Sequence, residues 1–326
     1  MDNENNDEAG RDSEVIRAEV VEVEPGTPWA WREPERRPVR RRHGWRLPLG
    51  LFLATCVSTV LVGALIGDQV NSPLAALVTG LRYAVPVMTI LLCHEMGHFI
   101  QARRYGVYAS LPYFLPVPVP PFGTFGAVIF MEPRIGGRRA LFDIGITGPL
   151  AGLVPTLIFC VWGLHLTEPQ KFIPILDHGS QLAVNCPPLF RWLCAWRFGP
   201  LPPGFEPLNV GTLHPMAFAG WVGLFITSLN LIPIGQLDGG HVLYAILRRL
   251  AYPVASGLLL LALFLVVLDW QHMSHWIVML VLLLMMGPIH PPTANDGESL
   301  GLGRIVLGWL TLAFILIGFT PIPLSL

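Results

Sequence analysis

Long apolar stretches separated by short polar segments make up most of the chain after residue 46. A membrane-spanning helix needs about 20 predominantly apolar residues, and on that criterion the pattern predicts six or seven crossings. They cover residues 47–67, 74–101, 140–166, 216–244, 253–268, 276–289 and 305–319. The predicted fold is therefore an all-α polytopic membrane protein.

One apolar segment does not fit a helix. Residues 112–133, "PYFLPVPVPPFGTFGAVIFMEP", contain too many prolines for continuous helical hydrogen bonding. The part from Thr124 to Phe130 is rich in β-branched and aromatic residues, which are typical of strands. The sequence therefore predicts a short membrane-associated β/loop segment. We expect Thr124–Phe130 to offer a strand edge to which an extended substrate adds, and an interfacial loop that only shields a site is the alternative.

Composition excludes an ordinary soluble protein, because only 13% of the residues are charged and 52% are hydrophobic, against about 25% charged in a typical soluble domain. Residues 1–46 differ from the rest. They form an acidic, polar stretch followed by the basic run "WREPERRPVRRRHGWR", with little to bury, so this tail is predicted to be disordered. The expected division is a tail over 1–46 and a membrane domain over 47–326.

Arginines predict the orientation in the membrane, since basic flanks stay on the cytoplasmic side. With the tail inside, the segments predicted to be cytoplasmic contain Arg103, Arg104, Arg134, Arg138, Arg139, Arg248, Arg249 and Arg304. The predicted outer loop, 167–213, has three basic residues. The second and fourth crossings then both run from outside to inside. No signal or transit sequence is visible, so a bacterial inner membrane with a cytoplasmic N-terminus is expected. The basic run favours contact with anionic membrane lipid over nucleic acid.

Candidate chemistry begins with "ILLCHEMGHFIQARR" at the inner end of the second crossing. Ionisable groups inside a membrane cost several kcal/mol each by rough estimate, so they usually serve a function. His94 and His98 are four residues apart and share a helix face. The spacing H-E-x-x-H lets two imidazoles occupy adjacent corners of a zinc tetrahedron and leaves Glu95 as a general base. A chance match on a polar helix face is the alternative.

A catalytic zinc usually has three protein ligands, so one more is required. Glu132 and Asp143 are candidates, but Asp238 is favoured. It lies in "FITSLNLIPIGQLDGGHVLYAILRR", where proline and glycines interrupt the helix, and broken helices in membranes commonly build binding sites. Because the fourth crossing runs in the same direction as the second, Asp238 falls at the depth of the histidines. A helix-capping role for Asp238 is the alternative.

The pair "HEMGH" and "NLIPIGQLDGGH" resembles the site-2 proteases, M50-type zinc metalloproteases that cut substrates within the membrane, over about residues 74–250. This resemblance implies one Zn²⁺ bound by His94, His98 and Asp238, with Glu95 as the general base. It also implies that Asn230 helps to position the substrate carbonyl, and that the substrate is a transmembrane protein.

The finer similarity is to the branch that includes chloroplast and cyanobacterial EGY-like proteins, through "FGTFGAVI" and "HPMAFAGWVGLFITSLNLIPIGQLDGG". Many family members have Pro-Pro where this chain has Gly235-Gln236, and many carry a PDZ domain for which no stretch here is long and polar enough. A zinc or proton transporter and an inactive protease-like scaffold are the alternative functions. The sequence does not indicate an oligomeric state.

Two smaller features complete the expectations. Gly148 and Gly152 in "GITGPLAG" have the small-xxx-small spacing that predicts close helix packing. Cys186 and Cys194 both lie in the predicted outer loop, where an oxidising compartment would allow a disulfide between them.

Overall fold

The computed structural model describes residues 44–66, 72–131, 136–168, 183–201, 208–287 and 290–325. Nearly all of the tail predicted to be disordered lies outside these ranges, as do Glu132 and Arg134. The helices are α1 (Arg46–Ile66), α2 (Pro73–Arg104), α3 (Arg138–Leu166), α4 (Pro188–Phe198), α5 (Pro215–Asn230), α6 (Asp238–Leu247), α7 (Ala251–Leu268), α8 (Trp270–Met273), α9 (Ile277–Met286), α10 (Leu302–Ala313) and α11 (Ile315–Gly318). The strands are β1 (Tyr113–Pro116), β2 (Thr124–Val128), β3 (Ala183–Val184), β4 (Leu208–Asn209) and β5 (Leu324–Ser325).

The prediction of a helical polytopic membrane protein is confirmed. Within the described residues, four helical runs are long and apolar enough to cross a membrane: α1, α2, α3 and the run Asp238–Leu268 that joins α6 to α7. The sixth and last predicted crossings correspond to shorter apolar helices, α9 with 10 residues and the run Leu302–Gly318.

The fourth predicted crossing is two helices, because α5 ends at Asn230 and α6 begins at Asp238. Pro233 lies in the turn between them and has no N–H with which to continue a helix. Gly235 has φ +58°, and a Cβ there would lie 2.5 Å from the carbonyl oxygen of Gly287. Glycine therefore fits this turn, whereas the proline found here in many family members could not adopt that φ.

The core is formed by α2, α3 and α5, with α1 packed on the outer side of α2 and α6 packed on α3. Glycines allow the helix backbones to approach closely: a Cβ at Gly97 of α2 would lie 2.5 Å from the carbonyl oxygen of Thr147 on α3. On α5, Phe218, Trp221 and Phe225 stack nearly parallel with centroids 5.6–5.7 Å apart, and Phe122 stacks on the last two. This close packing of α2, α3 and α5 positions the polar residues of α2 and α5 relative to one another.

The predicted β segment is present as the antiparallel pair β1–β2, with Tyr113 opposite Val128 and Phe114 opposite Ala127. The hydroxyl of Ser58 on α1 donates to the carbonyl of Gly123, 2.7 Å away, which ties the loop before β2 to the membrane helices. Beyond β2, Ser110 N donates to the carbonyl of Phe130 at 2.9 Å, so the pairing continues past the strand end. A second small sheet has the order β4-β3-β5.

Candidate metal centre

Two histidines of α2 form one side of the candidate site. His94 and His98 lie one helical turn apart, and both are buried, with 4% and 6% of their surface exposed. Their Nε2 atoms are 3.2 Å apart, and the two rings meet edge to face. The spacing seen in the sequence therefore brings two ring nitrogens to one point, as helical geometry requires of residues i and i+4.

The first residue of α6 completes this group. Asp238 Oδ2 lies 3.1 Å from His94 Nε2, and Asp238 Oδ1 lies 3.2 Å from His98 Nε2. The carboxylate is at the start of α6, directly after the turn that follows α5, and α5 packs on α2 while α6 packs on α3. Within the described ranges, these three side chains are the one group of three or more His, Cys, Asp or Glu residues whose ligand atoms converge as a metal site requires.

The separations fit a tetrahedral zinc ion. Zn–N and Zn–O bonds of about 2.0–2.2 Å place neighbouring ligand atoms about 3.3–3.6 Å apart at the corners of a tetrahedron. The two Nε2 atoms are 3.2 Å apart, and each lies 3.1–3.2 Å from one oxygen of Asp238, Oδ2 for His94 and Oδ1 for His98. With one ligand atom taken from each residue, all three lie within 4.8 Å of one another. Three polar atoms lie within 3.2 Å of His94 Nε2: Asp238 Oδ2, His98 Nε2 and Asn230 Nδ2. This ring nitrogen can make only one hydrogen bond. Two imidazoles and a carboxylate are a ligand set that suits zinc.

A backbone contact orients the second histidine. His98 Nδ1 is 2.7 Å from the carbonyl oxygen of Ile144 on α3. Because a carbonyl can only accept, Nδ1 carries the hydrogen and donates, and Nε2 presents its lone pair to the site. Metal-binding histidines commonly use their second nitrogen in this way, which fixes both the tautomer and the ring orientation.

The glycines of α3 make room for these rings. A Cβ at Gly148 would collide with the His98 ring, and one at Gly152 would lie 3.0 Å from His94 Cβ. The sequence predicted close packing at Gly148 and Gly152 but did not reveal that the neighbours are the two histidines. The glycine positions are thus part of the site, and the only signal for this in the sequence is their spacing.

The two residues assigned to catalysis are beside the group. Glu95 is 5% exposed and lies close enough to His94, His98 and Asp238 to interact electrostatically with all three. Asn230, the last residue of α5, places Nδ2 3.2 Å from His94 Nε2. A buried carboxylate and an amide donor therefore border the space that the three candidate ligands surround.

The other candidates for the third ligand do not join the group. Both oxygens of Asp143 are bound by Arg304, at 2.8 and 2.9 Å, and Tyr105 donates to one of them at 2.5 Å. Glu132 lies outside the described residues. The alternative role of Asp238 as a helix cap is wrong, because the N-cap of α6 is Leu237.

The five cysteines, which all lie in described ranges, are thiols. Cys186 and Cys194 are buried and are not joined in the structure. Cys93 adjoins His94 but is absent from the converging group of ligand atoms found in the described residues. The site therefore has nitrogen and oxygen donors and no thiolate.

Comparison with known proteins points to zinc metalloproteases. Residues 82–268, more than half of the chain, match the model of Peptidase family M50. The chain is 32% identical to the Arabidopsis thaliana protein "Probable zinc metalloprotease EGY2, chloroplastic" over 70% of this chain and 40% of that protein. It is 28% identical to "Probable zinc metalloprotease EGY1, chloroplastic" of the same plant over 94% of this chain and 56% of that protein.

The rice (Oryza sativa subsp. japonica) protein "Probable zinc metalloprotease EGY1, chloroplastic" is 29% identical over 70% of this chain and 40% of its own length. The chain thus spans about half or less of the length of the curated relatives that it matches. No solved structure matches the chain significantly.

Proposed function

The chain belongs to peptidase family M50, and from this membership we propose that it is an intramembrane zinc metalloprotease that hydrolyses peptide bonds in transmembrane protein substrates. The observation that carries the proposal is the convergence of His94, His98 and Asp238 beside the buried Glu95. A zinc or proton pathway would also use intramembrane histidines and carboxylates. It would not need a buried glutamate placed next to a complete set of three zinc ligands.

Each residue has a separate role in the proposed reaction. Zinc, held by His94, His98 and Asp238, would supply Lewis acidity, which polarises a carbonyl and lowers the pKa of a water to about 7. Glu95 accepts a proton from the attacking water and returns it to the departing amine. The Asn230 amide donates a hydrogen bond to the oxygen of the scissile carbonyl as negative charge develops there.

We assign the entry of water to the side of Asp238, the most exposed of the three candidate ligands. The Asp238 side chain is 14% exposed, whereas those of His94 and His98 are 5% and 7% exposed. Hydrolysis consumes one water per bond, so a partly open ligand is compatible with the reaction. By the distribution of arginines this side is cytoplasmic.

The protein is a multi-pass membrane protein. We assign it to a bacterial inner membrane. We assign the N-terminus to the cytoplasmic side, because arginines are concentrated in the segments on the side of the tail. The curated relatives named above are described as chloroplastic. We further assign residues 1–46 to a cytoplasmic tail and about 74–250 to the catalytic core, a range that overlaps the family match over 82–268.

Purified protein in lipid vesicles tests the proposal against transport. We expect it to cleave a membrane-spanning peptide, to stop when a chelator removes zinc, and to resume when zinc is restored. A zinc-sensitive dye trapped in the vesicles should report no metal entry. The proposal is wrong if the dye responds to added zinc and no membrane-spanning peptide is cut under any zinc concentration.

The strand pair offers a means to hold an extended substrate, because a helical substrate hides its carbonyls in internal hydrogen bonds. Phe130 directs both backbone groups toward Ser110: its N–H donates to Ser110 Oγ at 3.0 Å, and its carbonyl accepts from Ser110 N. Backbone groups alternate in direction along an extended chain, so Ile129 directs its own N–H and C=O to the opposite side. An added strand would pair there.

Proline at Ile129 is expected to reduce cleavage of a membrane-spanning peptide at least about fivefold, because it removes the outward N–H, and one lost backbone hydrogen bond in a pairing site costs about 1–3 kcal/mol. Ile129→Ala is the matched control, since it removes the side chain and keeps the N–H. We expect the Ile129→Ala protein to cleave nearly as well as the wild type.

Normal cleavage by a folded Ile129→Pro protein, or by the corresponding Ala127→Pro protein, would refute edge pairing and favour a loop that only shields the site.

A further inference from the structure

The helix that carries Asp238 is short and has a residue with positive φ on each side. α6 has 10 residues, with φ +58° at Gly235 before it and φ +55° at Arg248 after it. A helix of this length has little stability of its own, so its position depends on tertiary contacts. Whatever holds α6 therefore also holds the Asp238 carboxylate against the two histidines.

Residues His290–Glu298, which we call the C-terminal strap, run beside α6. The strap lies beyond the range that matches the family model, which ends at residue 268. Its His290 Nε2 is 2.7 Å from His241 Nδ1, and its Asp296 accepts from the Tyr244 hydroxyl at 2.8 Å. His241 and Tyr244 are three residues apart and share a face of α6, so the strap binds one side of the helix at two points.

The direction of the histidine contact follows from its surroundings. His290 Nδ1 is 2.6 Å from the carbonyl of Pro291, which can only accept. His290 therefore donates from Nδ1 and accepts at Nε2, and His241 Nδ1–H is the donor. Burial lowers the pKa of His290, which keeps the ring neutral and preserves its acceptor. The Tyr244 ring stacks on the His290 ring with centroids 4.6 Å apart, so polar and aromatic contacts act on the same residue.

The strap is itself held in shape. Asp296 Oδ1 accepts from the hydroxyl and the N–H of Thr293, at 2.6 and 3.2 Å, and the Tyr252 hydroxyl donates to the carbonyl of His290 at 3.1 Å. Arg138 at the start of α3 donates to the carbonyl of Glu298 at 3.1 Å. The strap is thus a folded segment tied to α3 and α7.

Arg138 also binds the end of α6. It donates to the carbonyl of Ile246 at 2.9 Å and to that of Ala245. These are carbonyls of the last turn, which a cation stabilises at a helix C-terminus. On the face toward α3, a Cβ at Gly145 would lie 3.0 Å from His241 Cβ, so His241 is confined between α3 and the strap.

We propose that His290 is a positioning residue of the metal centre: through its hydrogen bond to His241, the strap holds α6 in the orientation that brings the Asp238 carboxylate to His94 and His98. This inference rests on the proposed function, because it assumes that those three residues bind zinc. Groups that hydrogen-bond to metal ligands typically contribute about 10- to 100-fold to metal affinity. His290 acts through His241 and the position of α6, and we take this range as the scale of the expected effect.

Three full-length variants test it. His290→Leu removes the acceptor for His241, and His290→Gln keeps a side-chain oxygen that can accept. Trp276→Phe is the control, because it removes a comparable peripheral bond, from Nε1 to the carbonyl of Pro321 at 2.7 Å, that does not involve α6. Zinc affinity is measured by competition with a chelating dye, the ligand geometry by the absorption spectrum of the cobalt-substituted protein, and the stability of the metal-free protein by its Tm.

We expect His290→Leu to weaken zinc binding about 10- to 100-fold and to alter the cobalt spectrum. His290→Gln should recover most of the affinity, and Trp276→Phe should bind zinc like the wild type even where its Tm falls. Equal losses in the Leu and Gln variants, or a loss in Trp276→Phe as large as in His290→Leu, would show a general structural effect and overturn the inference.

A milder variant keeps the test decisive if His290→Leu does not fold. Tyr244→Phe removes only the hydroxyl bound to Asp296, and we expect a smaller loss of zinc affinity, about threefold to tenfold, in the same assays. If Tyr244→Phe and every folded His290 variant bind zinc as tightly as the wild type, the role of the strap is wrong and the proposed function is unaffected. Failure of the wild-type protein to bind zinc overturns the proposed function as well, and Asp238→Asn, measured in parallel, separates the two.

Discussion

Glu95→Gln is expected to abolish peptide cleavage while zinc remains bound. Glutamine keeps the size of the side chain and cannot accept the proton that the attacking water must lose. A positioned general base contributes about 10²- to 10⁴-fold to a rate, so the cleavage rate should fall by that factor. His94, His98 and Asp238 are unchanged, which leaves the proposed ligand set complete. Zinc content by elemental analysis and single-turnover cleavage of a membrane-spanning peptide check the two parts separately.

Glu168→Gln is a matched control for this change. Glu168 comes just after the C-terminal end of α3, whereas the strap contacts its N-terminal end, so the variant should change neither zinc content nor the cleavage rate. The assignment of Glu95 as general base fails if the glutamine variant cleaves at a rate near that of the wild type. Loss of zinc together with activity would give Glu95 a role in holding the metal centre instead.

Asp238→Asn is expected to weaken zinc binding by more than about 100-fold. Loss of groups one layer behind metal ligands already costs about 10- to 100-fold, and this substitution removes the charge of a proposed ligand itself. An amide oxygen is a poorer donor to zinc than a carboxylate, and two histidines remain. The dissociation constant from competition with a chelating dye is the measurement.

Two other carboxylates provide the controls for Asp238. Asp143→Asn should reduce stability, because it weakens the paired hydrogen bonds with Arg304, and should leave zinc affinity unchanged. Glu132→Gln should leave zinc affinity unchanged. If Glu132→Gln releases zinc and Asp238→Asn does not, the third ligand has been assigned to the wrong residue.

Local sequence patterns were enough to predict the elements whose structure depends on residues close in the chain. Apolar length predicted α1, α2 and α3 to within a few residues, and proline content with β-branched residues predicted the β1–β2 segment. The fourth crossing shows the limit of this approach. Its proline and glycines predict an interruption of the helix, but they do not reveal that Gly235 lies beside Gly287, a contact between segments more than 50 residues apart.

The third ligand candidate shows how far the sequence reaches. Asp143 and Asp238 are both acidic residues close to a predicted membrane helix, and the sequence favours Asp238 because proline and glycines interrupt its helix. Folding pairs Asp143 with Arg304, 161 residues away, and leaves Asp238 beside His94 and His98. The role of Asp238 as a ligand remains a prediction.

The sequence by itself determined that this is a multi-pass helical protein with two histidines and a glutamate on one turn of an apolar helix, because helix period and apolar length are local properties. The sequence also favoured Asp238 as their partner, but only the tertiary structure placed its carboxylate at the histidines, showed why Gly148 and Gly152 carry no side chain, and showed how the strap at His290 reaches α6. Each of these is a contact between residues distant in the chain, and the energy that selects it comes from packing the whole set of helices at once.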